Sequence, residues 1–241
     1  MIDIYFGKKT DGTPVLSKSN IEADVENILL DYNNGHVLNE PQPTPLDELT
    51  EFYYGLNMDF KSFQNVDILG VSVFTNGNIN ILENNIPKTT MVKKNTIILS
   101  ENIMNTGRSR FTHGHELGHF TYHIHLYSED DNQLSLFNKP NNIQVCYKIG
   151  HFLSFEKKHL QSQSEWIEWQ ADYFSACLLM PKKSVDTYLR LNGYIPNGLS
   201  SKYSLDYLSQ NDKNKLIEDM SEFYQTSKQA TEIRLKELWY I

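Results

Sequence analysis

Apolar residues recur at helical spacing along parts of this chain and alternate with polar ones along others. Ile21, Val25, Ile28 and Leu29 share one face of a helix predicted over residues 21–32, with Ser19 or Asn20 as its cap and Asn33-Asn34-Gly35 as its stop. A loop with Pro41, Pro43 and Pro45 follows. A second helix is expected from Pro45, capped by Thr44, with Asp47 supplying a variant capping box. Leu46, Leu49, Phe52 and Tyr53 would be its core stripe and Gly55 its end. The period then changes. Residues 68–74 are apolar and β-branched, Asn76-Gly77 is a hairpin-turn signal, residues 78–82 alternate as a returning strand should, and residues 96–99 read as a third strand. Two longer helices follow, over about 109–125 and 164–180, with Pro181 stopping the second. Between them the polar stretch 128–163, carrying Asp130-Asp131-Asn132 and Asn138-Lys139-Pro140, reads as an exposed insertion.

These elements predict an α+β protein, mainly helical, with a small antiparallel or mixed sheet ahead of the first long helix. Residues 1–185 would form the main domain and 186–241 a small helical subdomain. Segments 213–224 and 227–238, joined at Gln225-Thr226, have the outline of a helix-turn-helix. Composition narrows the function. Of 241 residues, 39% are hydrophobic and 12% aromatic, enough for an ordered core. A net charge of -8 argues against a protein built to grip phosphate backbones. In the C-terminal helices Lys213, Lys215, Lys228, Arg234 and Lys236 are interleaved with Glu218, Asp219, Glu222, Glu232 and Glu237, so packing is favoured over direct DNA contact. Cys146 and Cys177 are too few for a disulfide framework, and Cys177 sits in an apolar run. The N-terminus lacks the basic-then-apolar order of a secretory signal, and no apolar stretch approaches the ~20 residues of a membrane helix. A cytoplasmic location is expected.

The chemistry gathers on the first long helix, at His115-Glu116-Leu117-Gly118-His119. Histidines four apart lie one turn from each other on one helix face, so both imidazoles can reach one metal ion. Glu116, rotated by about 100°, can act as the base for a metal-activated water attacking a carbonyl. Zinc suits imidazole and carboxylate ligands and has no redox chemistry. Leu117, Phe120 and Ile124 would supply the core face, and Gly118, costly in a helix, suggests close approach of a strand or substrate. On the second long helix Glu168 and Asp172 are four apart. Glu168 is the candidate third ligand and Asp172 a carboxylate that orients a ligand histidine. His123, four after His119, is the alternative ligand. An oxyanion stabiliser could be any of Tyr122, Tyr127, Tyr147, His151 or Tyr173.

Arg108-Ser109-Arg110-Phe111-Thr112-His113-Gly114-His115-Glu116-Leu117-Gly118-His119, followed by the run from Glu168-Trp169-Gln170-Ala171-Asp172 to Met180-Pro181, resembles the ImmA/IrrE family of metallopeptidases. That resemblance implies a zincin-like fold, zinc held by His115, His119 and Glu168, and Glu116 as catalytic acid/base. It also implies a protein substrate such as a cytosolic helix-turn-helix repressor. The chain departs from the family pattern in three places: a longer stretch between the ligand helices, Asp172 where relatives often carry asparagine, and an additional His113. Two functions compete. One is a zinc endopeptidase; the other is a zinc-containing regulator that binds a repressor or DNA without cutting. An intact Glu116 favours the enzyme, because a purely structural zinc site needs no base.

Overall fold

The computed structural model describes residues 2–127, 143–147, 160–196 and 204–241. A short antiparallel pair, β1 (Gly7–Lys8) and β2 (Pro14–Val15), leads into helix α1 (Lys18–Asp31). The cap is Ser17, not Ser19 or Asn20. Its hydroxyl accepts from the backbone N–H of Asn20, while the Asn20 side chain accepts from the backbone N–H of Ser17, so the helix starts three residues earlier than expected. The buried face is the expected one: Ile21, Val25, Ile28 and Leu29.

A short helix, α2 (His36–Asn39), precedes α3 (Leu46–Glu48), which continues as a π turn over Leu49–Tyr53. Here the expected stripe fails. Leu46 and Leu49 are buried, but Phe52 is 78% exposed, because the wider i→i+5 turn shifts the phase of the positions after Leu49. Thr44 does not cap this helix either; its hydroxyl donates to the Leu178 carbonyl at 2.6 Å.

Strands β3 (Asn57–Lys61), β4 (Ile68–Val73), β5 (Gly77–Glu83), β6 (Ile86–Val92) and β7 (Thr96–Ser100) follow. The expected pairing of residues 68–74 with 78–82 across Asn76-Gly77 does not occur. β5 instead folds back on β6 across Asn84-Asn85, both at positive φ (53° and 63°), as a tight hairpin turn requires. β4 joins a four-stranded mixed sheet of order β3-β7-β4-β8, in which β3 runs parallel to β7 and β4 antiparallel to both neighbours. The last strand, β8 (Ile143–Tyr147), comes from the stretch between the long helices. That stretch is therefore not simply an exposed insertion: five of its residues complete the sheet. Residues 128–142 and 148–159 lie outside the described residues.

Thr106 caps helix α4 (Gly107–Tyr122), accepting from Ser109 N–H at 3.1 Å. The helix breaks at His123, and α5 (Ile124–Tyr127) continues as a separate turn. Leu117 and Phe120 are buried as expected, whereas Ile124, beyond the break, is 40% exposed. Ser162 and Glu165 form a capping box at the start of α6 (Gln163–Leu179). The chain ends in α7 (Lys182–Leu191), α8 (Gln210–Phe223) and α9 (Lys228–Glu237).

Helices α4 and α6 cross very closely. A Cβ on Gly118 would fall 2.9 Å from Ala171 Cα, and one on Gly114 would fall 2.6 Å from Ser175 Oγ. The close approach anticipated at Gly118 thus comes from the neighbouring helix, not from a strand or substrate. The main core joins α1, α4 and α6 to one face of the sheet, through residues such as Ile28, Ile97, Leu99, Leu117 and Phe174. Alternate strand residues Val71, Val73 and Ile98 face the other side, under the β5–β6 hairpin. A third cluster, from Met180 to Tyr240, holds α7, α8 and α9 together. Arg234, fully buried on α9, ties it to the main body, donating to the Met180 carbonyl at 3.0 Å and to both Glu22 carboxylate oxygens at 2.6 and 2.9 Å. Among the described residues no helix is long and apolar enough to cross a membrane.

Candidate metal centre

The four-residue spacing on α4 brings the His115 and His119 rings together, with Nε2 atoms 2.9 Å apart. Both residues are buried. The close α4–α6 crossing then delivers Glu168 from the facing helix. Its Oε2 lies 3.3 Å from His115 Nε2 and its Oε1 lies 3.5 Å from His119 Nε2. One donor atom from each of the three residues falls within 4.8 Å of the others, so this group could hold a metal ion. These are the three ligands expected from the sequence. Lone-pair donors of two imidazoles and one carboxylate fit a small divalent cation.

Asp172, one turn beyond Glu168, reaches His115 Nδ1 with Oδ1 at 2.7 Å. A carboxylate can only accept, so the ring proton belongs on Nδ1 and Nε2 keeps its lone pair for a metal. Burial raises the Asp172 carboxyl above its ordinary value, and the His115 ring opposes this. Burial, reinforced by the neighbouring His115 and His123 rings, holds His119 well below the usual histidine range and keeps it neutral.

Glu116 is completely buried beside the ligands. On β4, Ser72 Oγ donates to its Oε2 at 2.5 Å. Two residues earlier on the same strand face, Gly70 leaves the space that the carboxylate fills: a Cβ there would stand 2.5 Å from Glu116 Oε1. That Oε1 has no hydrogen-bond partner among the described residues. Burial pushes the carboxyl up to about 7; His115 and the Ser72 hydrogen bond pull it down, while Glu168 and Asp172 add to the rise. A buried acceptor without a partner among the described residues, on the residue that follows His115 and within electrostatic reach of His115 and Glu168, is suited to take a proton from water.

The alternative ligand is displaced. His123 turns Nδ1 to His119 Nδ1 at 3.0 Å and Nε2 to Gln170 Oε1 at 2.9 Å, so both its nitrogens are engaged behind the ligand set. Of the oxyanion candidates, Tyr122 donates to Asp24 at 2.9 Å and Tyr173 to Glu22 at 3.1 Å, both away from the centre. Tyr127 stacks on Phe74, and its hydroxyl is pushed up to about 12 by burial with the Glu168 charge adding to it. His151 and the Tyr147 side chain lie outside the described residues. The other clustered histidines make polar contacts elsewhere. His113 meets Thr50 Oγ1 at 2.6 Å, and His125 meets the Gly12 carbonyl at 2.9 Å.

Gly70, Ser72 and Gln170 have no role in the chemistry expected from the sequence. A glycine and a serine two apart inside a β-branched strand were the available signal, since a strand glycine often marks close approach. Among known proteins the chain matches no family model and no curated sequence.

Proposed function

We propose that the chain is a zinc-dependent endopeptidase acting on a protein, in the manner of the ImmA/IrrE metallopeptidases whose motifs it resembles. The observation that carries this reading is the convergence of His115, His119 and Glu168 with the buried, half-satisfied carboxylate of Glu116 beside them. His115, His119 and Glu168 would hold the zinc ion. When bound, zinc supplies Lewis acidity toward a carbonyl oxygen and toward water at neutral pH. Glu116 accepts the proton of the attacking water through its unpartnered Oε1 and returns it to the leaving amine. Ser72 keeps the carboxylate in line through its other oxygen, and Asp172 holds His115 in the ligating tautomer. A regulator that only bound zinc would have no use for a buried base placed this way.

A helix-turn-helix repressor remains the substrate class implied by the resemblance. A direct DNA role gains little support from the C-terminal pair. Lys213, Lys228, Arg234 and Lys236 all have carboxylate partners within the chain, namely Asp206, Glu218, Glu22 and Glu232. The test is metal analysis together with cleavage of a candidate repressor by the wild type and by Glu116→Gln. Zinc in both proteins with cleavage by the wild type alone supports the reading. Equal repressor loss with both proteins, or no zinc in the wild type, rejects it.

A further inference from the structure

His115 has a carboxylate to fix its proton; His119 has none on its Nδ1. We propose that His123 and Gln170 are positioning residues that fix the proton of His119 on Nδ1, with the main-chain carbonyl of Pro14 as the anchor of the chain of hydrogen bonds.

Each assignment forces the next. The Pro14 carbonyl can only accept, and Gln170 Nε2 lies 2.8 Å from it, so that end of the amide is the donor. Its other end, Oε1, can only accept, and it faces His123 Nε2 at 2.9 Å. The proton of a neutral His123 therefore sits on Nε2, and its Nδ1 presents a lone pair. That lone pair lies 3.0 Å from His119 Nδ1, which must then be the N–H donor. His119 Nε2 is left with its lone pair, on the side facing His115 and Glu168.

The reverse order fails at its far end. A proton on His119 Nε2 would require His123 to donate from Nδ1 and accept at Nε2. Gln170 would then have to turn its amide, setting its oxygen against the Pro14 carbonyl, two acceptors with no hydrogen between them. His119, His123 and Gln170 are all fully buried, so no solvent repairs that contact. From Pro14 to His119 one satisfied order exists, and it leaves the Nε2 lone pairs of His119 and His115 facing each other 2.9 Å apart, a contact that a shared cation would satisfy. The two ligand histidines are thus prepared by different means, an anion for His115 and a neutral relay for His119.

This inference rests on the reading of His115, His119 and Glu168 as a zinc site, and two variants separate it from simple packing. His123→Leu refills much of the ring volume but offers no acceptor; His123→Asn leaves more space but places an oxygen near the former Nδ1. Zinc affinity is measured by competition with a chromophoric chelator, and the His119 tautomer by imidazole nitrogen chemical shifts in the metal-free protein. The metal-free wild type should hold His119 as the Nδ1–H tautomer. His123→Leu should bind zinc roughly 10–100-fold more weakly, and His123→Asn should recover most of that loss. Undiminished affinity in His123→Leu, or a His123→Asn variant no better than it, overturns the proposal, as does an Nε2–H tautomer in the wild type. A wild type that binds no zinc removes the peptidase reading instead, and the tautomer measurement still decides the proton order. Should His123→Leu fail to fold, the same measurement on the wild type decides alone.

Discussion

Glu116 keeps its position because a neighbouring strand offers it one hydroxyl and one missing side chain. Gly70→Ala would place a methyl 2.5 Å from Glu116 Oε1 and 2.7 Å from Thr112 Cγ2, so the carboxylate must swing away. The ligands themselves are untouched. Zinc content is expected to stay at the wild-type level while cleavage falls on the order of 100-fold, the cost of misplacing a reacting group by about 1 Å; paired metal analysis and peptidase assays check both halves. Glu168→Ala should do the opposite, with zinc lost in dialysis against a weak chelator while the fold, followed by circular dichroism, persists. At this scale the sequence was most informative about the residues that carry chemistry in their own spacing. His115, Glu116 and His119 are legible because a helix of known pitch relates them, and Glu168 and Asp172 are legible for the same reason. Ser72, Gly70 and Gln170 gain their roles only when a strand or a second helix arrives beside α4; the strand glycine marks a close approach, but no spacing within one element says what arrives.

Between elements, the controlling distance is the one separating α4 from α6. Gly118 and Gly114 set it, and Glu168 can meet the two imidazoles only at that separation. Gly118→Ala puts the intrinsic preference of the helix against its packing. Alanine should favour the isolated helix by about 1 kcal/mol, yet its methyl would stand 2.9 Å from backbone at Ala171, which cannot give way as a flexible side chain would. Overpacking of this kind typically costs about 1–3 kcal/mol. The expected result is a lower melting temperature together with weaker zinc binding, measured on the same samples. Most helices are legible at this scale because a buried stripe repeats within them. The π turn after Leu49 broke the stripe, and its i→i+5 bonding leaves no mark in composition. Strands are legible in the sequence, but their pairing is not. Period-two alternation identifies a strand and says nothing about its partner, so Asn76-Gly77 looked like the hairpin turn while Asn84-Asn85 formed it.

Across the whole molecule, the ion pair of buried Arg234 with half-buried Glu22 joins the last helix to the first. Burial would raise the Glu22 carboxyl, but the Arg234 guanidinium outweighs it and holds the group below its ordinary value. A lowered carboxylate contributes stability that is fully present above the unfolded-state value and disappears as pH falls through the folded one. The stability gap between the wild type and Glu22→Gln should accordingly be open at neutral pH and close in acid, as read from urea unfolding over a pH series. Arg234→Ala, which removes the charged hydrogen bonds to a half-buried Glu22, should cost about 1.5–3 kcal/mol at neutral pH. Helix pairing near the C-terminus was legible in outline; its attachment through one arginine was not, since Glu22 and Arg234 are 212 positions apart. Gln170 and Pro14 are also far apart, by 156 positions. During synthesis α4 emerges with His115 and His119 before Glu168, Asp172 or Gln170 exists. A metal ion meeting that half-made chain would find two rings with nothing to fix their protons and no carboxylate from α6. Under the proposed reading, secure loading belongs to the finished chain, and metal content would be a tally of the molecules that have folded to completion.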